Sequence, residues 1–236
     1  MRIALIRRLQ RLFLLFSIVL VAGVVILAVR SFGFLLPRQV EHVTIVMPTP
    51  EQDTVPPLKV ALLSGHAGFD SGAICGDMNA PTVKEVDVVA RIVELVRVQL
   101  ESKGLEVLIL EEYDARLTNL DAALMLSLHA DSCIFVSGYK AAYPFNSAIP
   151  LTERKMLACI DEHYAAHTGL SFHPSVTDEM TRYHAFRKVL PRTPTVILEM
   201  GFLGGDARLL MQEPERVVAG ITESIDCFLE EAEQKE

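Results

Sequence analysis

The sequence has no acidic residue among its first 38 positions and no charged residue between Leu12 and Val29. The uncharged run is 18 residues long and strongly apolar, which is enough to cross a bilayer as a helix with little tilt. Four arginines precede the run and only two follow it closely. The positive-inside bias therefore predicts a cytoplasmic N-terminus, with the rest of the chain outside the membrane.

A cleaved signal peptide is the alternative interpretation of this segment. The apolar run is longer than a usual signal-peptide core, and Ala28-Val29-Arg30 is a poor small-residue cleavage site. The sequence therefore favours a short cytoplasmic stub and an uncleaved anchor over residues 1–36. Five prolines between positions 37 and 57 predict a stiff, extended linker. It would hold the following domain within about 60 Å of the membrane.

Basic side chains are scarce beyond the anchor. Residues 39–236 carry 16 Lys and Arg against 30 Asp and Glu, a balance of −14. Such a domain has no electrostatic footprint for nucleic acid, which excludes that class of partner. Attraction to anionic polymers is absent as well, so any binding must come from a shaped site. The sequence also lacks internal repeats, which excludes a repeat architecture.

Strand-like and helix-like patterns alternate over residues 58–236. This alternation predicts a single α/β domain with a mixed, mostly parallel sheet flanked by helices. Strands are expected over 58–63, 105–110, 122–128, 138–143 and 195–200, and helices over 84–103, 152–167 and 215–231. Gly104 and Gly169 follow the first two helices, where a C-cap is expected.

Ionisable side chains stand at the ends of three of the apolar runs, namely His66, His129 and Glu199. A fourth, Glu85, begins the first helix of the domain. Apolar strands deliver such groups to one edge of a sheet, where they can converge on a metal ion. Two imidazoles and one carboxylate form a common catalytic zinc shell that leaves a position open for water. A second carboxylate can then accept the proton of that water.

Each of these residues also has a structural interpretation. An isolated histidine is often held only by hydrogen bonds, and an acidic residue such as Glu85 is ordinary in a first helical turn because it favours the helix dipole. Glu199 could form an ion pair with Arg187 or Arg192. However, a carboxylate beside the apolar run 196–198 is costly to bury without a purpose, which favours proton chemistry.

Four short motifs occur in order along the chain. They are Gly65-His66-Ala67-Gly68, Lys84-Glu85, Ser127-Leu128-His129-Ala130-Asp131 and Glu199-Met200-Gly201-Phe202. In their strand and helix context they resemble the zinc-dependent N-acetylmuramoyl-L-alanine amidases of the amidase 3 type, from about residue 58 to 228. The resemblance implies that His66, Glu85 and His129 bind zinc. It also implies that a zinc-bound water, with Glu199 as general base, hydrolyses the amide between N-acetylmuramic acid and L-alanine in peptidoglycan.

The chain departs from that family in three places. Ala67 replaces a glycine, residues 111–119 lack a longer arginine-containing helix, and residues 144–186 have no clear counterpart. These departures lie around the expected cleft, so they affect substrate preference more than zinc binding. Two alternatives stay open: another zinc peptidase or amidase activity on the same scaffold, and an inactive membrane-tethered module for wall binding or regulation.

Several further residues are candidates for supporting roles. Asp131 could orient the second nitrogen of His129, and His184 could steady a tetrahedral intermediate. Arg187 is a candidate contact behind the metal ligands or with substrate. His163 and His167 have the i, i+4 spacing of a metal-binding helix but lack the Glu that would follow the first His, so we interpret them as surface residues.

Four cysteines lie in the part predicted to be extracytoplasmic, where disulfides are permitted. Cys75 follows the His66 segment and Cys133 follows His129. If both histidines bind one metal, these cysteines lie close together, which predicts a disulfide between them. Zinc ligation by the same cysteines is the alternative. Cys159 and Cys227 fall on expected helices and are interpreted as small core residues.

Overall fold

The computed structural model describes residues 2–32, 57–77 and 80–233. The linker expected over 37–57 lies outside these ranges, apart from Pro57. The chain divides into two units, Met1–Thr54 and Val55–Glu236. In the first, α1 (Arg2–Phe32) is one continuous helix. Its stretch Arg7–Ser31 is long and apolar enough to span a membrane, with a mean hydropathy of 3.2 over its most apolar 18 residues, a test that an N-terminal signal sequence would also pass.

The second unit alternates strands and helices, as the sequence predicts. In chain order its elements are β1 (Lys59–Ser64), β2 (Ile74–Asp77), β3 (Ala80–Lys84), α2 (Glu85–Ser102), β4 (Glu106–Leu110), β5 (Leu124–Asp131), β6 (Lys140–Ala142), α3 (Pro150–Cys159), a π-helical segment (Ile160–Tyr164), α4 (Ala165–Thr168), α5 (Asp178–Thr181), β7 (Thr195–Phe202), α6 (Ala207–Gln212) and α7 (Pro214–Glu233). Short 3₁₀ turns occur at Ala115–Leu117 and His184–Arg187.

A five-stranded sheet in the order β4-β1-β5-β7-β6 forms the centre of this unit. The first four strands are parallel and β6 is antiparallel to β7. The predicted fold class is therefore confirmed. Because β1, β5 and β7 are adjacent and parallel, their carboxyl ends meet at one edge of the sheet. The polar residues that end these strands are thereby brought together.

The two faces of the sheet differ in what covers them. Long helices, with α7 in contact with both α2 and α3, cover the face that carries Leu62, Leu126 and Leu198. The opposite face carries Leu63, Met125 and Ile197 under short segments that include the turn His184–Arg187. Side chains alternate along a strand, so His129 and Glu199 belong to this second, more thinly covered face.

Two features of the fold differ from the sequence-based expectation. The hairpin β2–β3 was not expected, and it joins the β1 turn to the start of α2. The helix expected over 152–167 begins at Pro150 and is interrupted by the π-helical segment, which contacts α7. It ends before Gly169, whose φ of +74° is the left-handed cap that the sequence predicts.

Both pairs of cysteines form disulfides. Cys75 of β2 is joined to Cys133, just after β5, with their Cα atoms 5.5 Å apart. The predicted bridge is thus confirmed, and zinc ligation by these cysteines is wrong. Cys159 lies in the core and Cys227 packs against it, as expected, but the two also form a second bridge that was not predicted, with a Cα–Cα distance of 5.9 Å. This bridge joins α3 to α7, whose facing sides cannot be matched from helical periodicity alone.

Candidate metal centre

His66 lies in the tight turn that follows β1. Its φ of +66° falls in the left-handed region, which is uncommon for a residue other than glycine. The main-chain carbonyl of His66 accepts hydrogen bonds from the N–H groups of Phe69 and Asp70, at 3.0 and 3.1 Å. Strained conformations of this kind concentrate at functional sites, where the surrounding structure enforces them.

Glu85 is the first residue of α2 and is buried. Its Oε2 accepts a hydrogen bond from the Ala73 N–H at 3.0 Å, and its Oε1 accepts one from the Ala130 N–H at 3.1 Å. Burial alone would raise the pKa of Glu85, but hydrogen bonds from His129, His66 and Ala73 prevail and lower it to about 2. The side chain is therefore a fixed, ionised carboxylate between the β1 turn and β5.

Three donor atoms converge around Glu85. Its Oε1 lies 3.2 Å from Nε2 of His66 and 3.1 Å from Nδ1 of His129, and one ligand atom from each residue falls within 4.8 Å of the others. Atoms bound to one tetrahedral zinc ion at about 2.0–2.1 Å would be separated by roughly 3.3 Å. The donor set and its spacing therefore fit a single zinc ion bound by two imidazoles and a carboxylate.

The second nitrogen of each histidine is also engaged. Nδ1 of His66 donates to Oδ1 of Asp70 at 2.6 Å, and Nε2 of His129 lies 3.3 Å from the hydroxyl oxygen of Tyr183. Metal-binding histidines commonly have such a partner, which fixes the tautomer and the ring orientation. Neither Asp70 nor Tyr183 was predicted. Asp70 lies four residues after His66. The only sequence signal for their contact was the tight turn expected between them.

Two glycines allow the backbone to approach the ligands. A Cβ atom on Gly65 would lie 2.4 Å from Cε1 of His129. One on Gly72 would lie 2.5 Å from Oε2 of Glu85 and 2.7 Å from Cδ2 of His66. All three distances are shorter than van der Waals contact allows, so these positions require glycine as long as the three side chains keep their arrangement.

Glu199 lies on β7 beside His129, with which it is paired in the parallel register. Among the described residues its buried Oε2 has no hydrogen-bond partner. Burial raises the pKa of Glu199 to about 7. The alternative of an ion pair between Glu199 and Arg192 is wrong, because Arg192 pairs with Asp121 at 2.6 Å instead. A half-buried carboxylate next to the candidate zinc ligands, with one oxygen free of hydrogen bonds from the described residues, is available for proton transfer.

A further carboxylate, Glu112, borders the centre. Its Oε2 accepts a hydrogen bond from the His66 N–H at 2.8 Å. Its Oε1 accepts from the hydroxyl of Tyr183 at 2.6 Å and from Nε2 of His184 at 2.7 Å. Glu112 was not among the residues predicted from the sequence. Its only sequence signal was its place two residues after β4, the strand that pairs with β1.

The other candidate residues have different surroundings. Asp131 forms an ion pair with Lys140, so its predicted contact with His129 is wrong: the Tyr183 hydroxyl faces the second nitrogen of His129 instead. His184 lies beside the centre, but it contacts Glu112. Arg187 is exposed and lines a cavity of about 420 Å³ that also borders Tyr183.

The i, i+4 histidine pair lies away from this centre. Nε2 of His167 is 2.8 Å and Nδ1 of His163 is 3.7 Å from Glu223 of α7. Both rings are partly exposed, as the surface interpretation expects. Their role is an interaction between neighbouring helices.

Comparisons with known proteins agree with this architecture. The family model described as Amidase_3, N-acetylmuramoyl-L-alanine amidase, matches residues 60–227. No curated protein sequence matches the chain significantly. Because the family model covers well over half of the chain, the protein belongs to the N-acetylmuramoyl-L-alanine amidase family, a class of hydrolases that act on the cell wall.

Solved structures of low identity share the fold. The catalytic domain of the amidase CwlV from Bacillus (Paenibacillus) polymyxa is 23% identical, with a TM-score of 0.57 over 73% of this chain and 98% of its own. The amidase CwlD from Clostridioides difficile, solved in complex with the GerS lipoprotein, is 18% identical, with a TM-score of 0.57 over 73% and 98%. Ami1 from Mycobacterium smegmatis is 18% identical, with a TM-score of 0.55 over 74% and 97%.

Proposed function

We propose that the protein is a zinc-dependent amidase that hydrolyses the bond between N-acetylmuramic acid and L-alanine in peptidoglycan. In this proposal His66, Glu85 and His129 hold the zinc ion. The observation that carries it is the convergence of two imidazole nitrogens on one carboxylate oxygen, at 3.2 and 3.1 Å. Family membership supplies the class of substrate.

A zinc ion bound by these residues would polarise the scissile carbonyl and make water a stronger acid. Glu199 accepts the proton of the attacking water and returns it to the departing amine of L-alanine. Its half-buried position and its pKa of about 7 suit both directions of transfer near neutral pH. Glu85, by contrast, stays ionised and cannot serve as the proton carrier.

We further propose that α1 anchors the protein in the cell membrane, with residues 1–36 as stub and anchor and 37–57 as linker. The amidase domain would then lie outside the cytoplasm, where its substrate is found. The two disulfides support this location, because such bonds persist in oxidising compartments. The anchor limits the enzyme to peptidoglycan near the membrane.

The test uses the full chain in detergent, purified peptidoglycan and mass spectrometry of the released products. We expect the zinc-loaded protein to release stem peptides that begin with a free L-alanine amine. A chelator should abolish the release and added zinc should restore it. Glu199→Gln should bind zinc as the parent does but lose at least about 10²-fold in rate, the usual contribution of a general base.

Asp87→Gln serves as the control, because Asp87 is an exposed acidic residue in the same first turn of α2 as Glu85. It should retain both zinc binding and activity. Cleavage at a different bond would replace the proposed substrate with another amide. Zinc binding without cleavage of any peptidoglycan preparation would favour the inactive module instead.

A further inference from the structure

Glu112 is a buried carboxylate that the proposed chemistry does not use. It is 6% exposed and lies two residues after the end of β4. Three donors converge on it: the main-chain N–H of His66, the hydroxyl of Tyr183 and Nε2 of His184, at 2.6 to 2.8 Å. Its own N–H donates to the Ala67 carbonyl at 3.0 Å. Glu112 is therefore bound to the His66 turn by both its main chain and its side chain.

The donors explain how the charge is tolerated. Burial would raise the pKa of Glu112, but the hydrogen bonds from Tyr183 and His184 outweigh burial and lower it. A buried carboxylate that accepts several hydrogen bonds is a strong, directional acceptor. It dictates the orientation of every donor around it.

Hydrogen-bond directions connect Glu112 to the second histidine ligand. In neutral His129, if Nδ1 is the unprotonated atom that faces the metal, the proton must be on Nε2. That N–H is directed at the Tyr183 oxygen, 3.3 Å away. The single hydroxyl proton of Tyr183 is donated in turn to Glu112 at 2.6 Å. The Glu112 carboxylate can only accept, so it sets the direction of both hydrogen bonds, from His129 to Tyr183 and from Tyr183 to Glu112.

From these contacts we propose that Glu112 is a positioning residue that orients both histidine ligands, His66 through its main chain and His129 through Tyr183. The inference rests on the proposed function, since it takes His66 and His129 as zinc ligands. Nδ1 of His129 faces the Glu85 oxygen at 3.1 Å, whereas Nε2 is 3.9 Å from Glu112. Glu112 therefore acts from outside the ligand set.

Replacement of Glu112 by glutamine keeps the size of the side chain but not its acceptors. An amide has one oxygen and one NH₂ group. In one orientation the NH₂ group of the amide faces the His66 N–H, and in the other it faces both the Tyr183 hydroxyl and Nε2 of His184. Either way, at least one donor loses its partner. We therefore expect Glu112→Gln to lower zinc affinity about 10- to 100-fold, the usual effect of losing such a supporting group.

The measurement is zinc affinity by competition with a chromogenic chelator, using the full chain in detergent. Glu111→Gln is the matched control, since it makes the same charge change at the adjacent, exposed residue, and it should leave the affinity unchanged. Tyr183→Phe removes only the hydroxyl and should also weaken zinc binding. The double variant should lose less than the sum of the two single losses, because both substitutions break one chain of hydrogen bonds.

Cobalt substitution separates positioning from direct ligation. The intensity of the visible Co²⁺ bands reports the coordination number of the metal. The Co²⁺-loaded Glu112→Gln variant should show the same intensity as the Co²⁺-loaded parent. A changed coordination number together with a silent Tyr183→Phe would make Glu112 a ligand and overturn the inference. Equal zinc affinity in the parent and in Glu112→Gln would overturn it as well. If the parent itself fails to bind zinc, the proposed function fails first.

Discussion

At the scale of single residues, Gly65 tests whether close backbone approach maintains the metal centre. The missing side chain leaves room for the His129 ring, which a Cβ atom would approach to 2.4 Å. We expect Gly65→Ala to displace the ring and lower zinc affinity at least about tenfold, comparable to the loss of a supporting contact. Chelator competition on the full chain measures this effect.

Gly104→Ala is the matched control for this substitution. Gly104 has a φ of +87° and open space around its Cβ position, beyond the end of α2. Alanine there should cost about 1 kcal/mol of folding stability through backbone strain without changing zinc affinity. Equal zinc affinity in all three proteins would show that the His129 ring does not depend on Gly65.

The four principal residues of the centre could be predicted because they stand at strand ends or a helix start. His66, His129 and Glu199 each follow an apolar run, and parallel neighbouring strands bring them together. Glu112 also follows a strand, β4, but nothing local distinguishes it from Glu111 beside it. Tyr183 could not be found in this way, because it belongs to a segment without regular periodicity and only the folded chain brings residues 71 positions apart into contact.

At the scale of elements, the two disulfides close loops of similar length but different position. Their sequence separations are 58 and 68 residues, so chain entropy predicts a similar loss of stability for each, about 4 kcal/mol. Only the Cys75–Cys133 bridge joins the hairpin to the segment after β5, close to His129. We expect its replacement by two serines to lower zinc affinity as well as stability.

The Cys159–Cys227 pair provides the matched control. Its replacement by two serines should lower the denaturation midpoint by a similar amount and leave zinc affinity near that of the parent. Denaturant unfolding and chelator competition on the same preparations separate the two effects. An equal loss of zinc affinity in both double variants would contradict a local role for the first bridge.

Glu153 links α3 to β7 and makes stability depend on pH. Its carboxylate is buried and accepts hydrogen bonds from the N–H and hydroxyl of Thr195, at 3.1 and 3.2 Å. Burial raises the pKa of Glu153 above its ordinary 4.5, despite these hydrogen bonds. The folded state therefore holds this proton more tightly than the unfolded state, and stability falls as the pH rises from 4.5 through the raised pKa.

We expect Glu153→Gln to remove this fall and to be more stable than the parent at pH 8. Thermal unfolding of the full chain between pH 4 and pH 8 measures the difference. Glu162→Gln, a change at an exposed acidic residue of the π-helical segment, should follow the parent curve. If the stability of the parent, Glu153→Gln and Glu162→Gln changed with pH in the same way, Glu153 would not be the source of the pH dependence.

Most strands and long helices could be predicted to within a few residues, because their periodicity is strong. The hairpin β2–β3 could not be, since its strands are short and its register shifts between Cys75 and Gly76. The π-helical segment could not be predicted either. Its sequence continues an ordinary helical pattern, so periodicity gives no sign of the interruption. Local sequence thus predicts elements, whereas their interruptions depend on tertiary packing.

At the scale of the whole molecule, the anchor proposal predicts where the protein is found in cells. The full chain should stay in the membrane fraction after an alkaline wash, and its intact mass should be that of all 236 residues. A chain without residues 1–36 should be recovered in the soluble fraction. A soluble mature protein that begins within residues 25–40 would identify α1 as a cleaved signal peptide instead.

Two histidines and one glutamate should hold a zinc ion in this amidase. Zinc-edge X-ray absorption on the zinc-loaded full chain reports the atoms bound to the metal. We expect one zinc per chain, surrounded by nitrogen and oxygen at about 2.0–2.1 Å, with the imidazole signature lost in part in His129→Ala. Sulfur at about 2.3 Å, or no bound zinc, would contradict it.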